Sequence, residues 1–244
     1  MISRFGTYLL LMLKVFRKPD KWEVYKKQLI VEIYSLGIES LGITAIISVF
    51  MGAVVAIQTA YNIDNPLIPM KLIGFTVRQS VILEFSPTIV SLILAGKVGS
   101  RIASEIGTMR VTEQIDALDI MGINAPNYLI FPKVSAAILI NPVLIILSMA
   151  FGIFGGYLVS AFSNLFTTQD YLVGIRDVFE GFSVVYALIK TVVFAFIITT
   201  VAGFEGFMVR CGAIDVGAAS TRAVVWSSIM IILFNLILTQ LLLS

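Results

Sequence analysis

Few residues in this 244-residue sequence could do chemistry in an apolar setting, and Glu84 stands first among them. It lies some five residues into a largely apolar run, from about Gln79 to Gly96, and Pro87 follows three residues later. An ionised carboxylate near the middle of a bilayer costs about 2.5–3.5 kcal/mol on insertion scales, so such groups usually face a cavity or a partner. Two readings are open: a site on a translocation path, or a carboxylate near enough to an interface to be hydrated. Pro87 removes a backbone hydrogen bond and is expected to bend the helix at the same level. Gln58 and Tyr61, at the end of an earlier apolar run, are candidates for the same cavity, although Tyr61 is equally suited to an interfacial anchor.

The second candidate is a polar segment, Lys97 to Lys133. Its basic Lys97, Arg101, Arg110 and Lys133 are balanced by Glu105, Glu113, Asp116 and Asp119. Arg101 and Glu105 are spaced i,i+4 and Arg110 and Glu113 i,i+3, both of which support a helix. Two apolar stripes, Ile102, Ile106 and Met109, then Val111, Ile115 and Leu118, do not share one face, and Gly107 interrupts the first. Two short helices with a bend are expected, ended by the stretch from Gly122 to Pro126. An inert solvated connection is one reading. The segment is long for a connection yet not disordered in composition, and Gly99, Ser100, Ala103, Ser104 and Gly107 permit close packing. A docking element for a soluble partner fits both features.

Other chemistries are excluded. The sequence has no histidine and one cysteine, Cys211, so an internal disulfide, a His-based metal site and a His-containing triad are ruled out, and no cofactor or metal is expected. No G-x-x-x-x-G-K-[ST] occurs, and Gly96-Lys97 lacks the upstream glycine. The chain is therefore not expected to be an ATPase, and any ATP-driven work needs another subunit. A net charge of +2 gives no reason to expect nucleic acid.

These residues must be positioned by an apolar scaffold. Hydrophobic residues make up 58% of the chain and charged ones 13%, against about 25% charged in soluble domains. A soluble fold would lack a polar coat, whereas a bilayer solvates apolar surface. Five stretches are long enough to cross: about 41–61, 79–96, 134–162, 184–204 and 224–243. No linker separates them, so one domain over 1–244 is expected, divided into an N-terminal segment 1–38 and a transmembrane bundle 39–244. The run from Met1 to Phe16 is too short to span, and Lys14 and the missing cleavage site argue against a signal peptide. Trp22, Tyr25, Leu29, Ile33 and Leu36 recur at helical spacing among Lys21, Lys26 and Lys27, the pattern of an amphipathic helix in the interface. An ordinary packed helix is the alternative. Lys and Arg concentrate in the N-terminal segment, in Lys97–Lys133 and at Arg210 and Arg222, while the other side has Lys71, Arg78 and Arg176, with Lys190 at a span edge. This places the N-terminus in the cytoplasm and, after five spans, the C-terminus outside. Gly52, Ala56 and Ala60, and Gly152 and Gly156, allow close helix approach, within the bundle or between subunits.

The string EIGTMRVTEQIDAL, Glu105 to Leu118, with Glu84-Phe85-Ser86-Pro87 before it and Gly217-Ala-Ala-Ser-Thr-Arg-Ala-Val-Val after it, resembles the MlaE (YrbE-like) permeases of bacterial ABC lipid transporters. The resemblance covers essentially the whole chain. It implies an all-α integral membrane fold with an N-terminal interfacial helix, five transmembrane helices and a cytoplasmic coupling helix between the second and third spans, near Gly99–Met121. It further implies a homodimer in the bacterial inner membrane, a cytoplasmic ATP-binding subunit, a periplasmic MCE-domain protein, and movement of phospholipid between the inner membrane and the outer envelope, hence a part in outer-membrane lipid asymmetry. Glu84 matches a family glutamate at the lipid cavity, and Gln58, Tyr61 and Val54 would border it, Val54 with Val55 and Ile57 as an apolar wall. Arg101, Glu105, Met109, Arg110 and Glu113 would couple to the ATPase. Many relatives have Arg-Glu-Leu-Gly-Pro where this chain has Leu83-Glu84-Phe85-Ser86-Pro87, which removes a possible partner for Glu84 or for a phosphate. A proton-coupled secondary transporter using Glu84, or a scaffold with no transport path, would be the competing functions.

Overall fold

The computed structural model describes residues 2–17, 22–63, 69–163, 165–210 and 212–243. Lys18, Lys21 and Cys211 lie outside the described residues. Among those described there are helices and turns and no strand. The helices are α1 (Ile2–Val15), α2 (Trp22–Ile33), α3 (Glu39–Asn62), α4 (Lys71–Ser80), α5 (Val90–Leu94), α6 (Ser100–Val111), α7 (Gln114–Ile120), α8 (Ala125–Phe162), α9 (Thr168–Arg176), α10 (Phe182–Phe207) and α11 (Gly212–Leu243). Wider π-helical turns at Tyr34–Ile38, Val81–Ile89 and Ala95–Gly99 join α2 to α3, α4 to α5 and α5 to α6.

Five helical runs are long and apolar enough to cross a membrane: Trp22–Asn62, Lys71–Val111, Ala125–Phe162, Phe182–Phe207 and Gly212–Leu242. This is a multi-pass all-α membrane protein. The runs extend well past the expected apolar stretches. The second begins eight residues before Gln79 and continues through Val111, so the first half of the polar segment prolongs the span. Pro126 does not break a helix but sits in the first turn of α8, where its missing N–H is harmless. The break lies at Gly122, which takes a φ of 76°.

By contact the chain divides into two compact units. One comprises residues 1–40, 92–141 and 192–244. There α1 is docked: Leu11, Met12 and Val15 are buried. The Tyr8 hydroxyl donates to Thr200 (2.9 Å), and burial holds its pKa above the usual tyrosine value against that bond. The Asn127 amide donates to the carbonyls of Val15 (2.6 Å) and Arg17 (2.7 Å). The helix beginning at Trp22, expected to be amphipathic, buries none of its residues. Its Trp22 stacks on Tyr25, which packs on Phe131.

The other unit comprises residues 41–91 and 142–191. Its core joins Val55, Ala56, Ile73, Val77, Val81, Phe166 and Tyr171. The small residues noted in the sequence do their packing here. An ideal Cβ on Gly52 would lie 1.8 Å from the Gly152 carbonyl oxygen, and one on Gly155 2.0 Å from that of Val49, so α3 and α8 meet backbone to backbone. A Cβ on Gly156 would meet the Tyr171 hydroxyl at 2.1 Å. That hydroxyl donates to the Ile153 carbonyl (2.8 Å), and burial raises its pKa.

Gly52→Val should therefore force the two helices apart and destabilise the protein by about 1–3 kcal/mol, the usual range for overpacking. Gly42→Ala, where a Cβ meets nothing within 4 Å, should leave the melting temperature in detergent unchanged. Equal melting of Gly52→Val and the wild type would contradict the packing.

Candidate functional site

Glu84 sits in the π-helical turn Val81–Ile89 with Pro87. Proline has no N–H to give, and a widened turn lets a later donor reach the carbonyl left over. The carboxylate is held by two donors: Lys190 Nζ gives to Oε1 at 2.8 Å, and the Thr88 hydroxyl gives to Oε2 at 3.1 Å. Lys190 comes from α10 and has no exposed side-chain surface, whereas the Glu84 side chain is 42% exposed. The ammonium also lies over the Tyr186 ring, 4.4 Å from its centroid. The result is a neutral pair, shielded on the lysine side and open on the carboxylate side. Such a group can offer hydrogen-bond acceptors to a polar headgroup without leaving a bare charge in hydrocarbon.

Sequence reasoning missed Lys190 as this partner and placed it at a span edge. The available signal was its sign: it is a cation inside an apolar run, in a chain whose second span carries an anion. The departure at Leu83 therefore does not leave Glu84 unpartnered. A second missed feature is a line of hydroxyls beside the site. The Ser48 hydroxyl donates to Ser148 (2.8 Å) and that of Ser148 to Ser86 (3.0 Å), tying α3 and α8 to the turn that holds Glu84. They border a small cavity lined also by Met51, Phe85 and Ile89. A third is Arg78, expected to lie outside the spans but in fact buried. Its guanidinium donates to the carbonyls of Ile175 and Asp177 (2.7 Å each) and Val178 (3.0 Å), between the rings of Phe75 and Phe179. Val178 has a φ of 41°, a left-handed conformation costly for a β-branched residue. The three carbonyls converging on one cation offset that cost.

Of the other expected cavity residues, Val54, Gln58 and Tyr61 are exposed on α3, while Val55 and Ala56 on the same helix are buried. They form one open helix face, and none of them lines the small cavity.

The polar segment bends where expected, with a specific cause. Glu113 takes a φ of 59° between α6 and α7, and Arg110 pairs with Asp116 across the turn (2.6 Å). The anticipated local pairs do not form. Arg101 pairs with Glu39 rather than Glu105. Lys97 donates to the Glu39 carbonyl. Glu105 pairs with Lys133 (2.8 Å) rather than Arg101, and Lys133, buried, also holds Glu32 (2.5 Å). Gly107 lets α6 approach Val209 and Val216, and Gly206 lets Ala103 approach α10. Ile102, Ile106 and Ile115 are buried, Met109 and Leu118 are partly so, and Val111, unlike the rest of its stripe, is exposed. The turn after α7 leaves Ile120 and Met121 exposed as well. Arg101 and Glu105 thus tie the segment to its own chain, while Glu113 stands exposed at the bend.

The model of the family described as Permease MlaE matches residues 29–241. The chain belongs to this family. A probable ABC transporter permease protein of Rickettsia bellii is 37% identical over 240 residues, covering 98% of this chain and 91% of the relative. A probable ABC transporter permease protein of Synechocystis is 32% identical, covering 93% and 86%. The intermembrane phospholipid transport system permease protein MlaE of Haemophilus influenzae is 31% identical over 212 residues, covering 86% and 81%. As an MlaE-family member, this protein is the permease subunit of an ABC transporter.

The pair makes a double-mutant cycle informative. Glu84→Gln strands a fully buried ammonium and should lower thermal stability in detergent more than Lys190→Met, which leaves a half-exposed carboxylate. The combined Glu84→Gln/Lys190→Met variant should recover part of the loss. Strictly additive melting shifts would show that the two side chains do not depend on each other.

Proposed function

We propose that this permease moves phospholipid between the inner membrane and the outer envelope, driven by ATP hydrolysed on a separate cytoplasmic subunit. The observation that carries this reading is the half-exposed Glu84 carboxylate, held by Lys190 within a membrane-spanning run. It provides a charged anchor within a largely apolar span, which suits an amphiphile with a headgroup and tails. The Haemophilus influenzae relative belongs to an intermembrane phospholipid transport system, which supports the same substrate class. In this reading the exposed α3 face of Val54, Gln58 and Tyr61 borders the lipid cavity with Glu84. The cavity is completed by a second copy of the chain against the first, second and fifth spans. The fifth span supports this role, being only 11% buried in its most apolar stretch. An MCE-domain protein takes the lipid on the periplasmic side. The N-terminus lies in the cytoplasm and the C-terminus in the periplasm, with the helix beginning at Trp22 partly in the interface.

The segment Gly99–Met121 is the coupling element. Met109, Arg110 and Glu113, with the exposed Val111, Ile120 and Met121 beside them, form its docking tip. Arg101 and Glu105 carry movement of that tip inward through Glu39 and Lys133. ATP-driven closure of the partner subunits would then reshape the cavity.

Two outcomes are expected. Glu113→Lys should abolish stimulation of the ATP-binding subunit by the permease without lowering the melting temperature, because Glu113 is exposed; normal coupling would remove the docking assignment. Photocrosslinking residues at Gln58 or Tyr61 should capture phospholipid. Crosslinks free of lipid at both positions would place the cavity elsewhere.

A further inference from the structure

A second polar site lies in the unit that contains α1, apart from the Glu84–Lys190 pair. An open cleft of about 520 Å³ is lined by Arg4 and Thr7 of α1, Phe204 at the end of α10, Met208 and Arg210 of the following turn, and Asp215 and Arg222 of α11. Three guanidiniums face one carboxylate among these side chains. Arg222 is fixed: it donates to Glu205 at 3.0 Å and to Asp215 at 3.4 Å. Glu205 is buried behind it. Asp215 in turn accepts from the Arg210 backbone N–H (2.9 Å), which closes the corner between α10 and α11. That network accounts for Arg222, Glu205 and Asp215. It does not account for the guanidiniums of Arg4 and Arg210, which are exposed at the rim and for which no hydrogen bond or ion pair is found among the described residues.

Guanidiniums converging on an open cleft recognise an anion with several oxygens, and phosphate fits their fork geometry best. The rest of the site indicates how that phosphate is presented. The cleft lies at one end of two candidate spans, where α10 stops at Phe207 and α11 starts at Gly212. Phe204 and Met208 give it an apolar side. Beside it α1 exposes Phe5, Leu9, Leu10 and Leu13 while burying Leu11, Met12 and Val15. A helix apolar on its exposed face and cationic at its end belongs at the headgroup level of a membrane.

We infer that this cleft binds the phosphate of an anionic phospholipid from the surrounding leaflet, with Arg4 and Arg210 as its ligands, Arg222 as a fixed cation at its back, and the acyl chains along the exposed face of α1. The bound lipid links α1 to the α10–α11 corner. It is a resident lipid, separate from any lipid at Glu84.

The experiment uses the full chain in detergent, delipidated and read by native mass spectrometry. The probes are phosphatidylglycerol, diacylglycerol, which has no phosphate, and inorganic phosphate as competitor. Wild type should retain phosphatidylglycerol at least about tenfold more tightly than diacylglycerol, the scale of one charge-assisted contact. Arg4→Gln/Arg210→Gln should lose most of that preference, and Arg4→Lys/Arg210→Lys should keep part of it. Gly42→Ala, where a Cβ meets nothing within 4 Å, should not change it. Equal retention of phosphatidylglycerol by wild type and the double Gln variant would overturn the inference. So would displacement of the lipid by millimolar inorganic phosphate, which would make the site one for free phosphate. Because both arginines are exposed, the double Gln variant should elute and melt like wild type; if it does not, the Lys pair and the phosphate competition still decide the matter.

Discussion

Hydrocarbon offers an ion nothing to bond to, so every charge carried into a membrane span must bring its partner along. Among the described residues, each buried charge follows this rule. Lys190 reaches Glu84, Lys133 reaches Glu32 and Glu105, Glu205 reaches Arg222, and Arg78 collects three backbone carbonyls. Each of these links joins segments distant in sequence. The glycine contacts bring helices close. The charge pairs set register, because one residue's displacement leaves an ion unsatisfied. A buried pair need not add net stability to have this effect; the cost falls on arrangements that separate it.

The two groups of pairs serve different ends. In the unit holding Glu84, the pair with Lys190 and the Ser48–Ser148–Ser86 line fix a π-helical turn and aim a carboxylate outward. In the other unit, Glu39, Glu105 and Lys133 bind the polar segment to α2, α3 and α8. The first half of the segment therefore continues a span and is anchored to its neighbours through Lys97, Arg101 and Glu105, while the bend and the turn after α7 are exposed. Behind the bend at Glu113 the segment is thus a braced rod rather than a slack loop.

Much of this was legible in the sequence. Five apolar stretches gave five spans, because roughly 20 apolar residues have few other fates. Glu84 and Pro87 marked the unusual helix, and the mismatch of the two stripes marked the bend. What could not be read was where helices end, since a helix needs no apolar residues once it leaves the bilayer: Lys71–Gln79 and Lys97–Val111 continue a span in polar sequence. Ion partners were harder still. The spacing of Arg101 and Glu105 offered a local pair, but Glu39 and Lys133 are brought alongside by the fold and displace it. Lys190 and Arg78 looked like boundary charges because burial of a cation shows only when its acceptors, 106 and about 100 residues away, are in place. Of the residues expected on the α3 face, Val54, Ile57, Gln58 and Tyr61 are exposed, whereas Val55, expected in the same wall, is turned into the core.

In the proposed function, phospholipid movement is powered from outside this chain and passes the Glu84 site. Its most direct test is phospholipid transfer to an acceptor from proteoliposomes holding the permease with its ATP-binding subunit. Transfer should require ATP and should fall sharply with Glu84→Gln at unchanged complex assembly. Transfer by the permease alone under a pH gradient, without ATP or the second subunit, would contradict the account and make Glu84 a proton site.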